Sequence, residues 1–163
     1  METPPPTRIM FVCLGNICRS PAAQAVLQKL VRDHGVSERF EIDSSGTAGY
    51  HIGALPDARM IAAGAKRGIP MTSHAKKLIA DHLSQRDLMI AMDRENLANI
   101  QRLSNGRTAN VKLLSDFLDQ SWPRDVPDPY YGEEDGFEYV LDMLEAACPA
   151  ILKSSLESLP KSN

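Results

Sequence analysis

Apolar positions along this chain alternate between two rhythms. The longest unbroken apolar run, Ile9 to Leu14, gives way after Ser20-Pro21 to Ala22, Ala25, Val26, Leu30 and Val31, which recur at the three-and-four spacing of a helix face. The run Arg8-Ile-Met-Phe-Val-Cys-Leu14 is rich in β-branched and aromatic residues and has no polar alternation, so it predicts a strand buried on both faces. Gly15-Asn16 marks a turn, Pro21 suits the first helical position and Gly35 a helix stop. The same order then repeats. Phe40 to Ser44 predicts a second strand, the Gly-rich segment Ser45 to Gly53 a loop, and Met60, Ile61 and Ala65 a helix from about Asp57 that stops at Gly68. Leu88 to Met92 predicts a third strand, Asp93 a cap for a helix through Leu97, Ile100 and Leu103, and Val111 to Leu114 a fourth strand. A last helix runs from near Glu134 toward Leu156, with Phe137, Val140, Leu141, Leu144, Cys148, Ile151 and Leu152 on one stripe. Strands alternating with helices predict right-handed βαβ units. The expected fold is therefore α/β, a single domain over residues 1–163 with an open parallel sheet of about four strands and helices on both faces. Met1 to Thr7, with Pro4, Pro5 and Pro6 in a row, is expected to be a frayed lead-in.

The 163 residues are 43% hydrophobic and 24% charged, enough for one core and no second domain. The run from Ile9 to Leu14 is far short of the ~20 residues a bilayer requires, and no basic-then-apolar signal precedes it, so a cytoplasmic protein with no membrane partner is expected. The net charge of −3 argues against nucleic acid as a partner. The charge is uneven: Asp57–Lys112 holds ten Lys/Arg against five Asp/Glu, and Leu113 onward three against eleven. Such an acidic third reads first as solvated surface. Three cysteines are too few for a disulfide scaffold, so each is a core residue, a ligand or a reactive thiol.

In open parallel sheets ligands bind beyond the carboxyl ends of the strands, which directs attention to the first strand-to-helix loop, Cys13-Leu-Gly-Asn-Ile-Cys-Arg19-Ser20-Pro21. A loop this short, curling into a helix N-terminus, points several backbone N–H groups inward and forms an anion cradle. Leu14, Gly15, Asn16, Ile17, Cys18, Arg19 and Ser20 are the expected phosphate-binding residues. Gly15 and Asn16 readily take the left-handed backbone that the curl needs, and Arg19 supplies a planar fork for two oxygens. Cys13 then lies where a thiolate is favoured, since cysteines near helix N-termini can have pKa values lowered from ~8.5 to roughly 3.5–7.5. Ser20 reads equally well as a donor to that sulfur or as a helix N-cap. A metal site fits poorly, because Cys13 and Cys18 have no second ligand pair nearby, and no nucleotide-loop motif occurs. Neither a metal nor another cofactor is expected.

The string Val12-Cys-Leu-Gly-Asn-Ile-Cys-Arg-Ser-Pro21 resembles the signature of the low-molecular-weight protein tyrosine phosphatases. The resemblance extends through Ser44-Ser-Gly-Thr-Ala-Gly-Tyr50, Gly68-Ile-Pro-Met-Thr-Ser-His74, Ala91-Met-Asp93 and Asp128-Pro-Tyr-Tyr-Gly132, in the family's order. It implies a flavodoxin-like sheet and metal-independent hydrolysis of phosphotyrosine through a cysteinyl-phosphate. Expected partners are phosphotyrosine-bearing proteins, a tyrosine kinase among them, with inorganic phosphate as product and inhibitor.

That chemistry needs an acid to protonate the leaving oxygen. The residues alone leave Asp125 and Asp128 open, both in the proline-stiffened Asp125-Val-Pro-Asp128-Pro; the resemblance implies Asp128. Tyr130 and Tyr131 follow as pocket walls, with Leu14 and Tyr50 as further wall residues by resemblance. The resemblance also implies that Asn16, Ser44 and His74 form a network holding the loop open. Asp93 reads as a helix cap, and Asp57 as a structural partner of Arg59 or another base.

Rival readings share the Cys–Arg loop. Arsenate reduction would require a relay of further cysteines, and none lies between Cys18 and Cys148. A protein-arginine phosphatase is expected to carry threonine at position 17, where this chain has Ile17. A non-enzymatic phosphate or redox sensor using Cys13 and Cys18 as a reversible disulfide has no need of an acid loop, so that pair reads as regulation of an enzyme.

Overall fold

A computed structural model describes residues 4–105, 110–130, 132 and 134–157. Its centre is β1 (Thr7–Cys13), flanked by β2 (Phe40–Gly46) on one side and β3 (Leu88–Ala91) on the other, with β4 (Val111–Leu113) outside β3. The order is β2-β1-β3-β4 and every pairing is parallel. The described residues also form the α-helices α1 (Arg19–Asp33), α2 (Ala58–Ala65), α3 (Ala80–Gln85) and α4 (Arg94–Ser104) between strands, and α5 (Glu134–Glu157) after the last strand.

The unbroken apolar run of β1 follows from its central place. Ile9, Phe11 and Cys13 enter one core with α1, α2 and α5, while Met10 and Val12 enter a second core with Leu83 of α3 and Ile100 of α4. From Ile9 to Cys13 neither face of β1 meets water, so neither face carries the polar alternation of a half-exposed strand. Phe11, Phe137 and Leu141 are fully buried, each contributing on the order of 2 kcal/mol relative to exposure.

Helices α1, α2, α4 and α5 are those expected, with shifted boundaries. Thr7, expected in the lead-in, pairs with Phe40, and Cys13 pairs with Gly46, so β2 runs two residues beyond Ser44. Met1–Thr3 lie outside the described residues. Helix α1 begins at Arg19, ahead of Pro21; Pro21 still lies in the first turn, where its missing N–H removes no helical bond. The apolar pattern does not predict helix α3 or the 3₁₀ turns Ser37–Arg39 and Leu114–Phe117, because elements this short do not complete a hydrophobic period. Helix α1, after β1, and helix α4, after β3, pack on opposite faces, so the chain switches sides of the sheet next to the carboxyl end of β1.

Candidate functional site

Cys13 is the last residue of β1, and the five residues after it curl directly into α1. Asn16 makes that curl possible with a left-handed backbone, φ 58°, whereas Gly15, expected to share that conformation, does not adopt it. The cost of that conformation is offset by the Asn16 side chain: its Nδ2 donates to Ser20 Oγ (2.7 Å) and Ser44 Oγ (2.9 Å), and its Oδ1 accepts the Lys76 backbone N–H (3.0 Å). Ser44 Oγ in turn donates to Gln24 Oε1 (2.6 Å). The loop lies so close to β2 that a Cβ on Gly46 would meet Leu14 O at 2.6 Å; Thr47 N and Ala48 N donate to the carbonyls of Cys13 and Leu14, both at 2.9 Å.

The curl places Cys13 Sγ 2.9 Å from Ser20 Oγ and 3.3 Å from the Asn16 N–H. Among the described residues, the backbone N–H groups of Gly15, Ile17 and Cys18 have no acceptor within the protein, the arrangement an oxyanion requires. Ser20 makes no cap bond. It is the second residue of α1, whose N-cap is Cys18, and its hydroxyl serves Cys13, Asn16 and the Ser45 carbonyl.

Arg19 is 3% exposed, and a buried guanidinium requires partners. Its Nη1 donates to Asp93 Oδ2 (2.6 Å) and to the Val126 carbonyl (3.1 Å), and its Nη2 lies 3.5 Å from Asp128 Oδ2. Burial works against its charge, but Cys13 and the bond to Asp93 outweigh it and hold Arg19 above the usual arginine range. Asp93 does cap α4, through Asn96 N (2.7 Å), and its second oxygen orients Arg19. Sequence reasoning missed that second role; the available signal was that an arginine buried in a βα loop needs a carboxylate.

One cavity of about 80 Å³ joins these parts, lined by Cys13, Leu14, Gly15, Ile17, Cys18 and Arg19 from the loop and by Tyr50, His51, Asp128 and Tyr130 from the mouth. The two aspartates are separated by geometry. Asp128 lines the cavity, whereas Asp125 is engaged by Arg94, accepting its backbone N–H (2.9 Å) and its Nη2 (3.0 Å). Leu14 and Tyr130 stand half-open at the mouth, and Tyr50 is largely exposed. Tyr131 lies outside the described residues. Asn16, Ser20 and Ser44 form one network, but His74 is not part of it: its side chain is exposed, and the Lys76 backbone N–H takes the place expected for it. His51, which the sequence gives no role, packs between Gly15 and the rings of Tyr50 and Tyr130.

Cys18 faces the same cavity as Cys13. Burial pushes its thiol well above the ordinary cysteine range, and the charges of Asp57, Asp128 and Cys13 push the same way. Cys148 is fully buried on α5, as its place on the apolar stripe predicts. All three cysteines are free, and no group of three potential metal ligands occurs among the described residues.

The family profile described as low molecular weight phosphotyrosine protein phosphatase matches residues 8–162. The chain belongs to this family. The human low molecular weight phosphotyrosine protein phosphatase is 39% identical over 150 residues, covering 90% of this chain and 94% of its own. The low molecular weight protein-tyrosine-phosphatase of Streptomyces coelicolor is 40% identical over 156 residues, covering 93% and 95%. Among solved structures, the protein tyrosine phosphatase of Entamoeba histolytica, crystallised with Hepes in its active site, superposes with a TM-score of 0.88 at 38% identity, covering 93% of this chain and 97% of that one. The four-stranded parallel sheet is thus that of the low molecular weight phosphatases.

Proposed function

We propose that the protein hydrolyses phosphotyrosine in protein substrates, a tyrosine kinase among them, without a metal. The observation that carries this reading is the convergence of Cys13, Arg19 and Asp128 on one cavity at the end of β1. In the first step Cys13 Sγ, as thiolate, attacks phosphorus; the phosphoryl oxygens lie on the loop N–H groups and Arg19, and Asp128 gives its proton to the departing phenolic oxygen. In the second, Asp128 as carboxylate takes a proton from the attacking water, and Cys13 leaves, aided by the Ser20 hydroxyl 2.9 Å from its sulfur. Inorganic phosphate is released and competes for the same cradle.

Depth and lining support an aryl ester. Leu14, Ile17, Tyr50 and Tyr130 offer apolar surface above the thiol, suited to a flat ring that carries its phosphate to the bottom. Ile17 supplies a hydrocarbon contact where a guanidinium substrate would need a polar one. The expected result is hydrolysis of p-nitrophenyl phosphate and of phosphotyrosine peptides in the presence of EDTA, with phosphoserine peptides turned over at less than about a hundredth of the rate. Comparable rates on both peptides would reject the pocket-depth argument.

The two cysteines of the loop support a redox control of this activity. Peroxide takes the Cys13 thiolate to sulfenic acid, and attack by Cys18 releases water and forms a Cys13–Cys18 disulfide, which external thiol reduces back to two cysteines. A cytoplasmic, reducing setting suits such a nucleophile. Peroxide inactivation followed by dithiothreitol is expected to restore activity in the unmodified protein and not in Cys18→Ser, as read by residual turnover; equal recovery in the two would remove Cys18 from the switch.

A further inference from the structure

Asp57 and Arg59 begin α2 and lie beyond the residues that line the cavity, yet they connect its two halves. The Asp57 backbone N–H donates to the carbonyl of Ile17 in the phosphate loop (2.7 Å). The Asp57 carboxylate caps α2 through Arg59 N (2.9 Å) and grips the Arg59 side chain on two edges, Nε to Oδ1 at 3.0 Å and Nη2 to Oδ2 at 2.8 Å. Held in that fork, Arg59 Nη2 donates to the carbonyl of Tyr130 (3.0 Å), and the guanidinium lies 5.6 Å from the centre of the Tyr130 ring and 4.7 Å from that of Phe137. The N–H of the same Tyr130 donates to Asp128 Oδ1 (3.0 Å). Tyr130 is therefore held at its carbonyl by Arg59 while its N–H aims the Asp128 carboxylate.

We infer that Arg59 is a positioning residue for the general acid: it fixes the loop bearing Asp128 at a set height over Cys13, through Asp57 and Ile17. The inference rests on the phosphatase reading above. The arrangement suits this task for three reasons. The Asp57–Arg59 fork is local and bidentate, so the guanidinium is already oriented before it meets the acid loop. The Phe137 ring is fully buried at the start of α5 and gives the cation a rigid platform. The bond to Tyr130 spans 71 residues of sequence, and the same guanidinium supplies both that bond and the ring contact joining α2 to the acid loop.

The test separates misplacement of the acid from general damage. A misplaced Asp128 matters most when the leaving group needs a proton, so Arg59→Met is expected to lower kcat/KM for phenyl phosphate about tenfold and for p-nitrophenyl phosphate less than about twofold. Arg59→Lys, which keeps the charge without the fork, is expected to fall between the two. In an Asp128→Asn background Arg59→Met is expected to cause no further loss, since there is no acid left to position. Equal losses on both substrates, an undiminished loss in the Asp128→Asn background, or phenyl phosphate activity within twofold of the unmodified protein would each overturn the inference. Failure of the unmodified protein to hydrolyse either ester would instead reject the phosphatase reading on which it rests.

Discussion

Cys13→Ser is expected to abolish turnover of p-nitrophenyl phosphate, a loss of roughly four orders of magnitude or more. The substitution is nearly isosteric at a site that is 2% exposed, so the sheet and the loop survive it. What it removes is the nucleophile. A serine hydroxyl is a weak nucleophile unless a base takes its proton, and the groups around this position are the Ser20 hydroxyl at 2.9 Å and the Asn16 N–H at 3.3 Å, neither of them a base. Arg19 and the loop N–H groups remain, so inorganic phosphate is expected to bind the variant with an affinity within about threefold of that of the unmodified protein, as measured by calorimetry. Residual activity above about a hundredth of the original would show that another group attacks phosphorus.

The second large effect belongs to Asp128→Asn. Loss of a general acid typically costs 10²–10⁴-fold, and the cost rises as the leaving group becomes more basic. The expected pattern is a fall of at least about a hundredfold in kcat/KM for phenyl phosphate and a much smaller fall for p-nitrophenyl phosphate, whose phenolate leaves with little help. Asp125→Asn supplies the contrast. Its carboxylate is hydrogen-bonded by the Arg94 side chain, which, against the opposing effect of burial, holds it below the usual carboxylate range. A depressed folded-state value contributes stability above the ordinary carboxylate pKa of about 4, and that stability is lost as the pH falls through the depressed value. The variant is therefore expected to keep activity within a few-fold and to unfold slightly more easily at pH 7, by less than about 1 kcal/mol because the pair is largely exposed, with the difference vanishing in acid. If the two aspartate variants respond alike on phenyl phosphate, Asp128 is not the acid.

The strands and longer helices can be read along the chain because each depends on neighbours within a few residues: β1 is an unbroken apolar run, and α5 shows its stripe over 24 residues. The departures have equally local causes. β2 continues through Ser45 and Gly46 because Cys13 of β1 is there to pair with, not because of its own composition. The histidine expected in the Asn16 network is a side-chain candidate for a position that a backbone N–H fills, and a backbone donor carries no residue-type signal. Asp57 and Arg59 read along the chain as an isolated pair at a helix start, since the carbonyl they serve lies in Tyr130.

By itself the sequence determined that a buried strand carrying Cys13 runs into a tight turn at Gly15-Asn16 and then into a helix near Arg19 and Pro21. These are consequences of strand and helix periodicity and of backbone sterics, all within one short segment. Only the tertiary structure decided that Asp93, 74 residues away, would orient Arg19, that Asp128 and not Asp125 would face the thiol, and that His51 would stand at the mouth. The reason is physical. Those choices depend on which loops the order β2-β1-β3-β4 brings to one end of the sheet, and that order is set by burying two apolar faces at once, a property no single segment of the chain contains.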